Sequence, residues 1–278
     1  MADGKSKILG VDRSNGERYN PEKMSKVTGF DLGWLLVISV AILLLLLIVT
    51  NPDTFLSILV FVSDGLIITI TVTIVSFILM LFVGLIGGLG RSSKNPIIYG
   101  ISSLYVEIVR GIPLLVQLIW WYFAFPVVLQ SVGELLGIAP LANFHANPIA
   151  MAILGLTVCY GAYMSEIVRA GIQSIPVGQM EAARSIGMTH FQGLRFIIIP
   201  QAIRVILPPV GNELIALLKD SALVSVVAVA DLTRRGREFM SSHFNPIEVW
   251  TLVALVYLLM TLFAARVVRW LENRSETT

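Results

Sequence analysis

Long apolar runs separated by short polar breaks dominate the chain. A bilayer hydrocarbon core is about 30 Å thick and takes about 20 mostly apolar residues per helix. Six stretches meet that demand: about Gly33 to Thr50, Gly65 to Leu89, Pro113 to Gln130, Pro148 to Val168, Ala202 to Val229 and Val249 to Val268. The first stops before Asn51-Pro52 and the second at Arg91 and Lys94. The pattern predicts an all-α, polytopic membrane helix bundle with six transmembrane helices. The fifth stretch carries Pro208, Pro209, Gly211, Asn212 and Glu213, then Lys219-Asp220. Proline removes a backbone donor and clashes with the preceding turn, so a kink or break is expected there. Broken, polar membrane helices are tolerated only where they line protein or water, a first hint of a transport path. Lys219 and Asp220 are expected to pair with each other. Gly84 and Gly88 form a G-x-x-x-G pair, suited either to close packing within one subunit or to a dimer contact.

Composition agrees. The 278 residues are 56% hydrophobic and 14% charged, against about a quarter charged in soluble domains. The net charge of +2 and the lack of basic runs with interleaved aromatics argue against nucleic acid. Cys159 is the only cysteine, so an internal disulfide is excluded, and His145, His190 and His243 lack paired ligand spacing, so no metal site is expected.

Residues 1–30 are polar and mixed in charge, and the first apolar run begins only near Leu35, unlike a cleavable signal peptide. They read as a cytoplasmic tail, followed by an extra N-terminal transmembrane helix over 31–51. With that tail inside, the inside segments 1–30, 91–110, 169–204 and the C-terminal tail hold 15 of the 20 Lys and Arg, while 51–64 and 131–147 hold none. That bias orients the chain with both termini cytoplasmic. Arg234, Arg235 and Arg237 are the exception and fall outside.

The longest inside loop, 169–204, reads as two short helices. Pro176 suits a first helical turn. Met180 to Ile186 are good helix formers, and Gly187 sits where a left-handed cap favours a residue without Cβ. Thr189 and Gln192 form a T-x-x-Q capping box for the second helix, and Pro200 marks its end or a kink. The result is a compact knob suited to a groove on a soluble partner.

Glu181-Ala182-Ala183, Gly187 and Ile197-Ile198-Ile199-Pro200, at their spacing, resemble the EAA motif loop of ABC importer permeases, with Ile199 where the family usually has Leu. Tyr105 to Gln117 is similar to the Y-x-E-x-x-R-G-x-P-L-L-V-Q signature of polar amino acid permeases. Ala162 to Ile172 resembles their A-Y-x-x-E-I-x-R-x-G-I segment, and Lys219 to Leu223 their K-D-T-S-L. The resemblance covers about 60–272 and leaves the first span without an assigned role. It implies the type I ABC importer permease fold, in a bacterial plasma (inner) membrane. It also implies a cytoplasmic ABC ATPase subunit carrying ATP and Mg, an identical or homologous second permease, an external substrate-binding protein and an amino acid substrate. In that family the loop is the coupling helix, so Glu181, Ala182, Ala183, Gly187 and Pro200 are the expected ATPase-coupling residues. No G-x-x-x-x-G-K-[ST] phosphate loop occurs, so the chain is not expected to be an enzyme or to hold a cofactor of its own.

Glu107 with Arg110 and Glu166 with Arg169 have the i,i+3 spacing of helix-surface ion pairs. Glu166 ends an otherwise apolar run, and an ionisable group at membrane depth is a functional candidate. It either contacts the substrate's cationic group or lines the path beside it. The Gln117 amide both donates and accepts, as a zwitterion requires. Gln117, Tyr163 and Met164 either complete a substrate pocket with Glu166 or pack the bundle. Arg234, Arg235 and Arg237 either meet an acidic rim of a binding protein or reach lipid phosphates. An ion-gradient-driven secondary transporter is the rival reading, disfavoured because one broken span and no internal repeat are visible. A membrane enzyme would need clustered nucleophiles or ligands that are missing.

Overall fold

The computed structural model describes residues 32–276, so the expected tail over 1–30 lies outside the described residues. Nine helices are numbered here: α1 Leu32–Thr50, α2 Pro52–Arg91, α3 Pro96–Gly111, α4 Leu114–Leu136, α5 Pro148–Gln173, α6 Val177–Ser185, α7 His190–Val227, α8 Leu232–His243 and α9 Pro246–Glu276. One further helical turn, Ala139–Ala142, lies between α4 and α5. Among the described residues there is no strand. Six helices, α1, α2, α4, α5, α7 and α9, are long and apolar enough to cross a membrane.

Four helices start at Asn-Pro dipeptides: Asn51-Pro52, Asn95-Pro96, Asn147-Pro148 and Asn245-Pro246. The pairing is physical. Proline fixes φ and lacks only an N–H that has no intrahelical acceptor there, and at two of the four starts the asparagine supplies a side-chain acceptor. Asn95 Oδ1 accepts from the Ile97 and Ile98 amides, and Asn147 Oδ1 from Ala150.

α2 and α5 pack over the longest shared length. A Cβ on Gly84 would fall 2.1 Å from Met164 Cγ, and one on Gly88 2.6 Å from Val168 Cβ. The G-x-x-x-G pair therefore serves packing inside this subunit. Around that seam, Val72 and Met80 of α2, Leu118 of α4, Leu156 and Met164 of α5, and Leu217 and Val224 of α7 form the main core. A second core joins Phe55, Ile58 and Val62 of α2 to Leu232 and Phe239 of α8 and to Val249, Leu252 and Val253 of α9. It forms a collar at one end of the bundle, against which Leu44, Leu47 and Ile48 of α1 pack. At the other end Gly33 lies against the Arg266 guanidinium of α9, so the extra first helix is clamped along α9.

The fifth apolar stretch differs from expectation. The α-helix runs unbroken from Ile199 to Asp220 through Pro208 and Pro209. Two adjacent prolines remove only the amide bonds to Arg204 and Val205 carbonyls, and intact turns on both sides hold the rod. The change of geometry comes at Asp220, where the chain tightens into a 3₁₀ segment, Ser221–Val227. Pro200 does not end its helix either. A π-turn, Leu194–Ile198, precedes it, and such a widened turn accommodates the hydrogen bond that proline cannot make.

Candidate functional site

Three polar constructions stand out from the apolar bundle. The first is the knob formed by α6 and the start of α7. Gly187 has φ +85, and the Met188 amide donates to Ala183 O at 3.1 Å while Gly187 donates to Arg184 O at 3.0 Å. That is a Schellman cap, which satisfies two carbonyls that α6 leaves open. Thr189 and Gln192 then form both halves of a capping box. Pro176 stands one residue before α6 as its N-cap rather than in its first turn. A Cβ on Gly193 would meet Met180 Sδ at 2.8 Å and Ala183 Cβ at 3.4 Å, so Ala183 and Gly193 let the two helices close together. Glu181, Ala182 and Pro200 are exposed. Val177 and Ile186 are about three-quarters exposed and Phe191 and Phe196 more than half, an apolar face that a folded soluble knob seldom leaves bare.

The second lies beside the knob. Glu166 of α5 is held by two guanidiniums, Arg91 of α2 and Arg169 of its own helix. Arg169 engages it through Nε at 3.1 Å as well as through Nη2. Two cations on one carboxylate, bidentate on one side, make a charge-assisted lock between α2 and α5. Glu107 and Arg110, by contrast, do not pair: the Arg110 guanidinium lies 5.1 Å over the Tyr163 ring, a contact available without burying a carboxylate.

The predicted pocket residues are consequently separated. Gln117 is buried and its Nε2 donates to Val109 O and Ile112 O, both at 2.8 Å, with Cys159 Sγ at 3.5 Å. That amide ties the α3–α4 turn, whose Pro113 cannot donate itself. Met164 is 1% exposed, packed under Gly84. Gln117 borders a separate, apolar cavity of about 320 Å³ lined by Ile108, Val116, Trp120 and Trp121. Tyr163 borders another, of about 260 Å³, with Leu114, Cys159, Tyr160, Glu213, Ala216 and Asp220. Asp220 accepts the Tyr160 hydroxyl at 2.7 Å, and the expected Lys219–Asp220 pair is not made, because Lys219 points to the exposed side of α7. Sequence reasoning missed Tyr160 and Glu213 as neighbours. Their only signal was polarity within two different apolar runs.

The third is the collar. Asp231 caps α8, its carboxylate accepting from the Thr233 and Arg234 amides at 3.2 and 3.0 Å and from Tyr257 at 3.3 Å. Burial pushes its carboxyl above the usual carboxylate range against those bonds. Arg235 is held by Asp64 and Glu238, and Arg234 by Glu238. Both guanidiniums are thus neutralised within the chain, since the two acids stand beside them. The hydrogen bonds from Arg234 and Arg235 hold Glu238 below its ordinary range. Arg237 is exposed. Among the described residues no group of His, Cys, Asp and Glu is arranged to hold a metal.

Known proteins resemble this chain in sequence and in fold. The glutamine transport system permease protein GlnP of Escherichia coli K12 is 32% identical over 211 residues, covering 76% of this chain and 91% of that protein. The L-cystine transport system permease protein TcyB of Bacillus subtilis is 37% identical, covering 76% and 85%. Among solved structures, an amino acid ABC transporter crystallised with histidines matches with a TM-score of 0.67 and 37% identity, over 77% of this chain and 94% of that one. A structure of the MetNI methionine ABC transporter in an inward-facing conformation matches with a TM-score of 0.58 at 25% identity, over 79% of this chain and 97% of that one. The family described as binding-protein-dependent transport system inner membrane component matches residues 80–277, taking in most of the main core, the ion lock and the whole knob. On these grounds the chain belongs to the binding-protein-dependent transport system inner membrane components, as an ABC transporter permease of the amino acid type.

Proposed function

We propose that this chain is the translocating subunit of an ATP-driven importer of polar amino acids, powered by a separate ATPase that grips the α6–α7 knob. The observation that carries the reading is the knob itself. It is a capped helix, a left-handed glycine and a boxed second helix, bare on its apolar side and continuous with a membrane rod. Glu181 and Ala182 face the ATPase, Ala183 and Gly187 set the shape, and Pro200 with its π-turn joins the knob to α7. ATP and Mg bind to that partner. The Lys and Arg distribution supports a bacterial inner membrane location with the knob and both termini in the cytoplasm. The relatives' printed roles in glutamine and L-cystine transport support amino acid cargo. A second permease copy, identical or homologous, completes the path, and an external binding protein delivers substrate at the collar.

Alternating access requires the ATPase to favour one permease conformation over another, and a small rigid knob transmits that bias. The test is reconstitution with the partner subunits in proteoliposomes. Uptake that needs internal ATP, and ATP hydrolysis stimulated by loaded binding protein, are expected. Uptake driven instead by a proton or sodium gradient, without ATP, overturns the reading in favour of a secondary transporter.

A further inference from the structure

We propose that the cavity between α3, α4 and α5 binds a small planar apolar molecule carrying one N–H or O–H donor, of the indole class. The site is distinct from any path for amino acids, because no charged side chain lines it. At about 320 Å³ it falls inside the range of roughly 300–1,000 Å³ usual for small-molecule sites.

Its walls suit such an occupant. Ile108 of α3, Val116 of α4 and Val158 of α5 give it apolar sides, and Trp120 and Trp121 give it rings. The two indoles meet edge to face, with centroids 5.0 Å apart. They are consecutive in sequence, yet both reach the cavity. A π-turn, Trp120–Ala124, widens the helix there and narrows the angle between successive side chains; such turns recur at functional sites. An aromatic pair in this arrangement offers a flat partner both a ring face and a ring edge.

One polar atom in the wall has no partner. Gln117 is 6% exposed, and its Nε2 is taken by the Val109 and Ile112 carbonyls, with Cys159 Sγ close by. Its Oε1 accepts from no described residue. The pinned Nε2 keeps the amide from rotating, so Oε1 stays a fixed acceptor in an apolar wall. A buried acceptor without a donor is costly, and a ligand that brings one N–H or O–H removes that cost. Ile108, Val116 and Trp120 on the rim are each about half exposed, and α4 and α5 are membrane spans. Entry is therefore lateral, as suits a molecule that partitions into lipid. A lipid chain has no donor for Gln117, and a zwitterion or inorganic ion carries charge that these walls cannot answer.

The full-length chain in lipid nanodiscs, with the subunits that co-purify with it, would be titrated with tritiated indole against empty nanodiscs. Saturable binding above that baseline is expected. 1-Methylindole, which lacks the N–H, should compete about fivefold more weakly, the worth of one neutral hydrogen bond. Val116→Trp, at the exposed rim, should fill the cavity and abolish binding, with membrane level and melting temperature unchanged. Gln117→Leu should bring the two ligands to equal affinity, whatever it does to the α3–α4 turn. No saturable binding overturns the proposal, as does undiminished binding in Val116→Trp. Equal affinity of the two ligands for the parent protein overturns it too, and would mark the cavity as a seat for a lipid chain. The readout uses neither ATP nor transport, so it stands or falls separately from the importer reading.

Discussion

Gly187 offers the sharpest test of the knob, because conformation and space are separable there. Its φ of +85 is a backbone region that L residues avoid, yet nothing lies within 4 Å of where a Cβ would stand. A substitution is therefore opposed by the backbone alone. The left-handed region costs an L residue about 1–2 kcal/mol, least for asparagine and most for a β-branched residue. Since 1.4 kcal/mol is a factor of ten in an equilibrium, alanine should cut the correctly capped population by about five- to thirtyfold wherever the two forms are near balance. Asparagine should cost far less, and valine should abolish the Schellman bonds from Met188 to Ala183 and from Gly187 to Arg184. The assay is ATP hydrolysis stimulated by loaded binding protein in proteoliposomes, alongside membrane level by immunoblot. The expected order is wild type, asparagine, alanine, valine, with membrane level constant. Valine at wild-type activity, or an order following side-chain size instead of αL tolerance, would refute the reasoning.

Gly84→Leu drives a side chain into Met164 and should cost about 1–3 kcal/mol or more as overpacking, read as a lower melting temperature of purified protein. Asp64→Asn removes the carboxylate partner of Arg235 from a half-exposed site, so the stability change should stay within about 1 kcal/mol; a larger drop in melting temperature contradicts the exposed character of the pair. Asp231→Ala removes both the α8 cap and the Tyr257 bond and should lower collar stability by about 1–2 kcal/mol, seen as faster amide exchange in α8. The raised carboxyl of Asp231 has a definite sign: the folded state holds its proton more tightly than the unfolded chain does. Stability from this group is greatest on the acid side and declines as pH rises from the unfolded carboxylate range through the raised folded value. Melting from about pH 4 to pH 8 should show that decline in the parent and lose it in Asp231→Asn.

Much of the architecture was legible because lipid imposes a simple code. Runs long enough to cross a bilayer must be helices, and all six appear. The knob was legible for another reason: Gly187, Thr189 and Gln192 act within a few residues of one another, so spacing alone carries their geometry. The side-chain partnerships were not. Lys219 and Asp220 are neighbours in sequence but stand on different sides of a helix, and Asp220 finds Tyr160, 60 residues away. Gln117 reads as an amino acid ligand until Pro113 and the turn before it show which carbonyls it serves. Glu166 attracted attention as a charge in an apolar run, yet Arg91 from another helix decides what it does. Contacts across the bundle depend on helix rotation and register, which a single sequence does not encode at readable range.

The 40-residue length of α2 has a mechanical consequence. At 1.5 Å per residue it is a rod of about 60 Å, running from the collar at Phe55 to the ion lock at Arg91. Over that span a tilt of about 5° displaces the far tip by about 5 Å, enough to clear a water molecule. A modest rotation at either extremity is thereby amplified into a gate-sized movement at the other, without any joint bending between them.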